Sequence, residues 1–446
     1  MAFQIDNQTV KDLELFSDRP NSKSIIDFFN RTKTFGGKLQ LRGLMESPLD
    51  DIKEITQRRD CIKFFTDIGL PITINSSQMD FIDHYFRLNK TTLRPNVIDA
   101  YFNKIYIRQR NRNDHYLIQT GVEKLVFLLL ELEKQLPKIP KTKIPQPLGK
   151  FFSFIRKYLQ KIEISSLIKD IKSNPKLIKH YRYDWIFRDK YKKETQDLIN
   201  IIYLFDAFNA VAQTAKEKNL CLPNYSESPT PVLKLKNLFH PLLKSPVPYD
   251  LDMRLGKNIC FLTGPNMAGK STFLKSLGLS IYLSHLGFPV PAQHMKTSIY
   301  SGLITTINLP DNMGLGHSHF YSEVKRVKDV ALKIKEKGNV FVIFDELFRG
   351  TNVKDAFDAS LYVIKSFSAV KSSSFFISTH ITEIAEQLID WSNVKFKYFD
   401  AKISNNELTY SYRLKDGVSH ERSGMHILEK ENILTILNSM NKTTQK

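Results

Sequence analysis

The residues GPNMAGKST at 264–272 constrain this chain more than any other stretch. They follow a short apolar run, NICFLTG (258–264), and lead into FLKSLGLSIYL, whose apolar spacing reads as a helix. Strand, glycine loop and helix in that order make a phosphate-binding loop of the G-x-x-x-x-G-K-S type. Gly264 and Gly269 let the backbone curl so that its N–H groups face a β-phosphate, assisted by the helix N-terminus. Lys270 supplies a point charge to the β- and γ-phosphates, and Ser271 offers a hydroxyl to Mg²⁺.

Two more β-type runs follow, VFVIFDE (340–346) and SFFISTH (374–380), separated by helical stretches. That alternation predicts an α/β domain with a mainly parallel sheet. Asp345 closes the first run, placed to hold Mg²⁺ through water, and Glu346 can orient and deprotonate an attacking water. The adjacent pair suggests hydrolysis over phosphate transfer, although an ordinary acidic strand end has the same composition. Thr379 and His380 end the second run. A lone His is more often structural, but here three polar strand ends point to one edge, where open α/β sheets bind ligands. His380 could then sense a γ-phosphate or position the water.

A second glycine segment, DNMGLGHSHFYSEV, spans 311–324. Gly314 and Gly316 give a turn and Ser318 is a natural N-cap. The helix that follows places Phe320, Val324, Val327, Ala331 and Ile334 on one face. A helix start can bind an anion without a cation, and an ordinary cap fits as well. The competing function is contact with the γ-phosphate of a nucleotide held by another subunit.

From about residue 25 to 218 the pattern is helical, and CLPNYSESPTP (221–231) marks a boundary. The expected organisation is a helical domain over 1–231 and an α/β domain over 232–446, in which KFKYFDAKI and ELTYSYRLK form more exposed strands. A net charge of +19 favours a polyanionic partner such as nucleic acid, or an anionic membrane surface. Residues 138–161 carry Lys138, Lys141, Lys143, Lys150, Arg156, Lys157 and Lys161 without an acid, with Phe151, Phe152, Phe154 and Tyr158 interleaved. KIYIRQRNR (104–112) adds Arg108, Arg110 and Arg112. These charges can neutralise DNA phosphates; a solvated helix face with aromatics in the core reads equally well. Cys61, Cys221 and Cys260 form no metal pattern and fit a reducing compartment. The N-terminus shows no signal peptide, and runs such as LVFLLL (125–130) are too short to span a bilayer. The expectation is a cytoplasmic protein without a membrane partner.

Together these residues resemble the MutS family of DNA mismatch-repair ATPases, a branch of the ABC-type ATPases. GPNMAGKST is similar to its phosphate loop and DELFRGT (345–351) to its Walker B segment. VPAQ (290–293), GHSHF (316–320), STH (378–380) and KDGVSHERSGMHI (415–427) occur in the family's order. FQIDNQTVKDLEL and SIIDFFNRTKTFGGKLQLRGLMESPLDDIKEITQRRDCI resemble the start of its helical core domain. The resemblance implies a helical core/lever domain followed by an ABC-type P-loop ATPase domain. It implies ATP and Mg²⁺ as cofactors, with Gly264, Pro265, Asn266, Met267, Ala268, Gly269, Lys270, Ser271 and Thr272 holding nucleotide and Ser271 and Asp345 the metal. Glu346, His380 and Lys270 would be catalytic, Ser318 would reach the partner subunit's nucleotide, and His426 would approach the adenine. A homodimer through the ATPase domains and DNA contacts at Arg108, Arg110, Arg112, Lys150, Arg156 and Lys157 are further expectations. So is a repair protein partner; a switch that grips a protein in place of DNA is the alternative. The chain is expected to be a reduced member, beginning at the core domain without a mismatch-reading domain. It departs from the family at Ala268, His319 and Phe348, where Gly, Thr and Gly are usual. Pro246–Val247 stand where an adenine-stacking aromatic is expected.

Overall fold

The computed structural model describes residues 3–17, 23–70, 73–89, 91–92, 112–140, 144–162, 177–228, 230–253, 256–307, 319–404, 407–419 and 433. After a short strand β1 (Gln4–Ile5) the first half is helical: α1 (Asn7–Asp12), α2 (Ile25–Phe29), α3 (Phe35–Met45), α4 (Ile52–Ile68) and α5 (Ser76–Phe86). Then come α6 (Arg112–Gln135), α7 (Gln146–Lys161), α8 (Leu177–Trp185) and α9 (Lys192–Glu217). The second half alternates, opening with β2 (Asn224–Ser226), β3 (Leu233–Leu238), β4 (Tyr249–Met253), β5 (Ile259–Thr263) and α10 (Lys270–His285). It continues through β6 (His294–Ser298), β7 (Gly302–Thr306), α11 (His319–Lys337), β8 (Val340–Asp345) and α12 (Val353–Ser368). The last elements are β9 (Ser374–Ser378), α13 (Glu383–Leu388), β10 (Val394–Ser404) and β11 (Glu407–Asp416).

Two compact units result, and they do not follow a single cut at residue 231. One gathers Met1–Phe28, Pro48–Ile55 and Lys218–Lys446; the other holds Phe29–Ser47 and Thr56–Glu217. The reason is non-local pairing. β1 lies parallel to β7, with Gln4 opposite Gly302 and Ile5 opposite Leu303. Buried Asp12 then accepts hydrogen bonds from the Thr305 hydroxyl (2.7 Å) and the Ile307 amide (2.9 Å). Nothing in the local pattern around Gln4–Ile5 marks it as the edge of a sheet three hundred residues away.

The α/β unit is built on a seven-stranded sheet of order β1-β7-β8-β9-β5-β10-β11. All its pairs are parallel except β10 with β11. β5, β7 and β9 are buried at every residue, which is why β5 and β9 read as short apolar runs rather than alternating ones, whereas β7 hides its threonines inside. A smaller sheet, β2-β6-β3-β4, carries the alternating LKLKNL strand with Leu233, Leu235 and Leu238 turned inward.

His285, at the end of α10, ties three segments of this unit together. Phe3 stacks on its ring at 4.0 Å, the Leu49 carbonyl lies 2.7 Å from Nδ1, and the Tyr300 amide donates to Nε2. The imidazole is therefore a neutral Nδ1–H tautomer, and burial pushes its pKa down to about 4, against a smaller opposing effect of the Leu49 bond. A depressed histidine favours folding only while it is neutral. Its contribution is complete above the unfolded pKa near 6.5 and falls as pH drops toward 4. Urea unfolding is expected to show about 2–3 kcal/mol more acid-induced loss between pH 7 and 4.5 than in His285→Gln, which keeps a donor and an acceptor but does not titrate. Equal losses in the two proteins would refute this.

Helix α11 is rotated from its expected setting. Val330 and Ile334 are buried and Phe320 and Val327 pack against the core, but Val324 is 39% exposed and Ala331 faces solvent. The inward arc runs Phe320, Glu323, Val327, Val330 and Ile334, which is as helical as the predicted one. Two arcs one residue apart differ only in which marginal position they bury. Here the inward position goes to a glutamate.

The second unit is helical. α9 is buried nearly all round, and α3 docks against it through a glycine pair. A Cβ on Gly36 would stand 2.3 Å from the Tyr203 ring, and one on Gly37 2.3 Å from Asp206 Oδ2. Fully buried Asp206 accepts from the Lys33 and Thr34 amides and from the Thr34 hydroxyl. By length and composition α9 could cross a bilayer, contrary to the expectation from apolar runs. Its most apolar window is 83% buried, so that surface serves as core here.

Candidate nucleotide site

β5 delivers the chain into a loop whose conformation explains its glycines. Gly264 and Gly269 have φ of +138° and +107°. A Cβ on Gly264 would lie 2.6 Å from the Phe399 carbonyl oxygen on β10, a backbone atom with no freedom to yield. Between them Pro265 and Ala268 are buried, while Asn266 and Met267 are exposed, Met267 by 79%. The extra methyl of Ala268 is packed, with no exposure. Gly269 caps α10, so Lys270, Ser271 and Thr272 form its first turn.

The Lys270 ammonium is folded into the loop, 2.7 Å from the Gly264 carbonyl and 3.0 Å from that of Pro265. Burial lowers its pKa, opposed by the charges of Glu346 and Asp345. Ser271 donates to Asp345 Oδ2 at 2.5 Å, and Ser378 donates to Oδ1 of the same carboxylate. Burial pushes the Asp345 carboxyl up, while the two serine hydroxyls pull it down. One hydroxyl and one carboxylate at a helix start suit Mg²⁺, a hard cation that keeps waters and takes its other ligands from phosphates. The left-handed loop, the helix N-terminus and this donor pair therefore fit a magnesium-bound nucleoside triphosphate.

Glu346 follows Asp345 with φ +61°, held by its amide donating to the Ser378 carbonyl and hydroxyl. Its Oε1 is 2.5 Å from His380 Nε2 and its Oε2 is 3.1 Å from Arg349 Nη1. The His380 bond, followed by the Arg349 bond and charges, holds the carboxyl down at about 2 despite burial. Such a carboxylate is ionised throughout the working range but is a weak base, better at orienting a water than at pulling its proton unaided.

A cavity of about 460 Å³ joins the loop to Pro246, Val247, Tyr249, Glu346 and Tyr412. Tyr412 owes its place to a bulge in β11: the register slips between Phe399 and Ala401, and Tyr412 adopts φ +53°. Asp400 pins the bulge by accepting from Ser411 (2.5 Å) and Lys415 (2.6 Å). Beside Pro246–Val247, where an adenine-stacking aromatic was expected, the cavity is thus lined by an aromatic from the edge strand β11. The alternation of ELTYSYRLK put Tyr410 and Tyr412 on one face; only the bulge brings one of them to the loop. The role of Ser378, two residues before His380, was likewise invisible because strand pairing creates its contact with Asp345.

Lys270, Ser271, Asp345, Glu346 and His380 are thus brought together at one sheet edge. Ser318, His426, Arg108 and Arg110 lie outside the described residues, as does the Arg112 side chain. Lys150, Arg156 and Lys157 are exposed on α7, whose Phe152 and Tyr158 turn into the core. Lys161 on that helix is paired with Glu194 at 2.7 Å.

Residues 260–445 match the family model described as MutS domain V. Among curated relatives, the DNA mismatch repair protein MutS of Petrotoga mobilis is 26% identical over 340 residues, covering 74% of this chain and 41% of that protein. Its namesake in Anaplasma phagocytophilum is 29% identical over 225 residues, covering 50% of this chain and 27% of that protein. That of Ehrlichia chaffeensis reaches 30% over 178 residues, or 40% of this chain and 22% of that protein. The alignments span less than half the length of these relatives.

Proposed function

This chain belongs to the MutS family of DNA mismatch-repair ATPases through its domain V, and from that premise we propose that it hydrolyses ATP to switch a dimeric DNA-embracing clamp in mismatch repair or a related process. The observation that carries the reading is the convergence of the Ser271–Asp345–Ser378 cluster and the His380–Glu346–Arg349 cluster on one phosphate loop.

In this reading the backbone N–H groups of 266–269 with Lys270, Ser271 and Thr272 hold the triphosphate. Ser271 and Asp345 would hold Mg²⁺, which would supply charge neutralisation at the phosphates. Lys270 exchanges the Gly264 and Pro265 carbonyls for phosphate oxygens, so its charge is already desolvated and aimed. Glu346 accepts a hydrogen bond from the attacking water once His380 or Arg349 lets go of one of its oxygens. When Arg349 is the group released, its guanidinium is free to meet the negative charge developing nearby. Ser318 of a second copy completes the site and His426 approaches the adenine.

The helical unit acts as the core/lever domain, and exposed Lys150, Arg156 and Lys157, with the net charge of +19, favour contact with DNA phosphates. The test is ATP turnover measured with plain duplex, mismatched duplex and branched DNA at several salt concentrations. DNA should raise the rate, with an affinity whose logarithm falls linearly with the logarithm of salt. Absence of turnover sinks the ATPase reading. Turnover indifferent to every DNA, with no binding at low salt, would leave a switch for a protein partner.

A further inference from the structure

α11 turns a carboxylate inward where a core position would ordinarily take an apolar residue. Glu323 is 6% exposed. A buried carboxylate is unfavourable unless donors satisfy it, and two backbone donors do. The Arg349 amide lies 3.2 Å from Oε1 and the Gly350 amide 3.3 Å from Oε2. Both amides belong to the loop that follows Glu346. One turn before Glu323, Phe320 packs on Phe348 of the same loop, ring centroids 5.6 Å apart.

That loop needs holding. Glu346 and Phe348 both sit in the left-handed region, at φ +61° and +57°, which side chains with a Cβ adopt only under constraint from their surroundings. Its position also matters chemically, because Arg349 reaches back to Glu346 Oε2. If the Arg349 backbone shifts, the guanidinium and the carboxylate it grips shift together.

We propose that Glu323 is a positioning residue for hydrolysis: its buried carboxylate anchors the Arg349 and Gly350 amides and so sets where Glu346 stands. The proposal rests on the ATPase reading for its consequence, but the anchoring itself is measurable without turnover. It also accounts for the rotation of α11, since the arc centred on Val324 and Ala331 would carry Glu323 away from the loop.

The experiment compares the full chain with Glu323→Ala, Glu323→Gln and Glu323→Asp. In Glu323→Ala the amides of Arg349 and Gly350 should exchange with deuterium about tenfold faster or more, as expected from losing hydrogen bonds to a charged group. kcat for ATP should fall by a similar factor while KM and ATP affinity stay near wild type. Glu323→Gln, which keeps an oxygen acceptor at the same reach, should recover part of both. Glu323→Asp, one methylene short, should not, and it serves as the test should the alanine variant fail to fold. Unchanged exchange overturns the anchoring. Faster exchange with unchanged kcat overturns the positioning role, and so does a loss of ATP affinity matching the loss of kcat. A wild-type protein inert toward ATP sinks the ATPase reading instead, while the exchange comparison still judges the anchor.

Discussion

Glu346→Gln is expected to bind ATP with nearly wild-type affinity and to hydrolyse it about 10²–10⁴-fold more slowly, the range typical for removing a positioned acid–base group. The substitution keeps the shape of the side chain and one carbonyl acceptor, but removes the negative charge gripped by His380 and Arg349. Binding should survive because neither Lys270 nor Ser271 hydrogen-bonds Glu346: Lys270 meets the loop carbonyls and Ser271 meets Asp345. Single-turnover hydrolysis beside equilibrium ATP binding separates the two effects, and a variant within a few-fold of wild type would remove Glu346 from the mechanism. The sign of the pH dependence follows from the same geometry. Because His380 and Arg349 depress this carboxyl to about 2, it stays ionised far below the usual carboxylate range. An acid inflection of kcat between about 4 and 5 should therefore not arise from Glu346.

Lys270→Ala should weaken ATP binding by about 10²–10³-fold, from the loss of charge-assisted hydrogen bonds worth roughly 1.5–3 kcal/mol each. The fold should tolerate it. Lys270 opens α10, where alanine is a good helix former, and removal of a buried ammonium relieves a desolvation that already lowers its pKa. Nucleotide titration of the variant, with a thermal melt to check folding, decides the point; retention of wild-type affinity would show that the loop binds through its amides alone.

Phe348 shows how tertiary packing can overrule a local rule. Its φ of +57° suits the glycine that the resembling family carries, and a glycine would relieve strain of about 1–2 kcal/mol. Yet the ring is only 4% exposed and packs on Phe320, and deleting a buried phenylalanine costs about 3–5 kcal/mol. The burial outweighs the strain, so a side chain that looks misplaced in the sequence is one of the fastenings of its loop.

How much was legible follows from the range of each interaction. GPNMAGKST declared itself because its requirements are local: two glycines at positive φ, a strand before and a helix after. The runs ending in Asp345 and His380 were legible because a strand buried on both faces writes an unbroken apolar word, and their polar last residues can only emerge at one edge. That KFKYFDAKI and ELTYSYRLK form a pair of strands was equally plain. The sequence by itself thus determined a phosphate loop on a parallel sheet and the residue types at its edge. Only the tertiary structure decided that Gln4–Ile5 join that sheet, that α11 turns Glu323 inward, and that a bulge carries Tyr412 to the loop. Each of these depends on partners far along the chain or on a rotation of a single helical position, and neither leaves a mark on local periodicity.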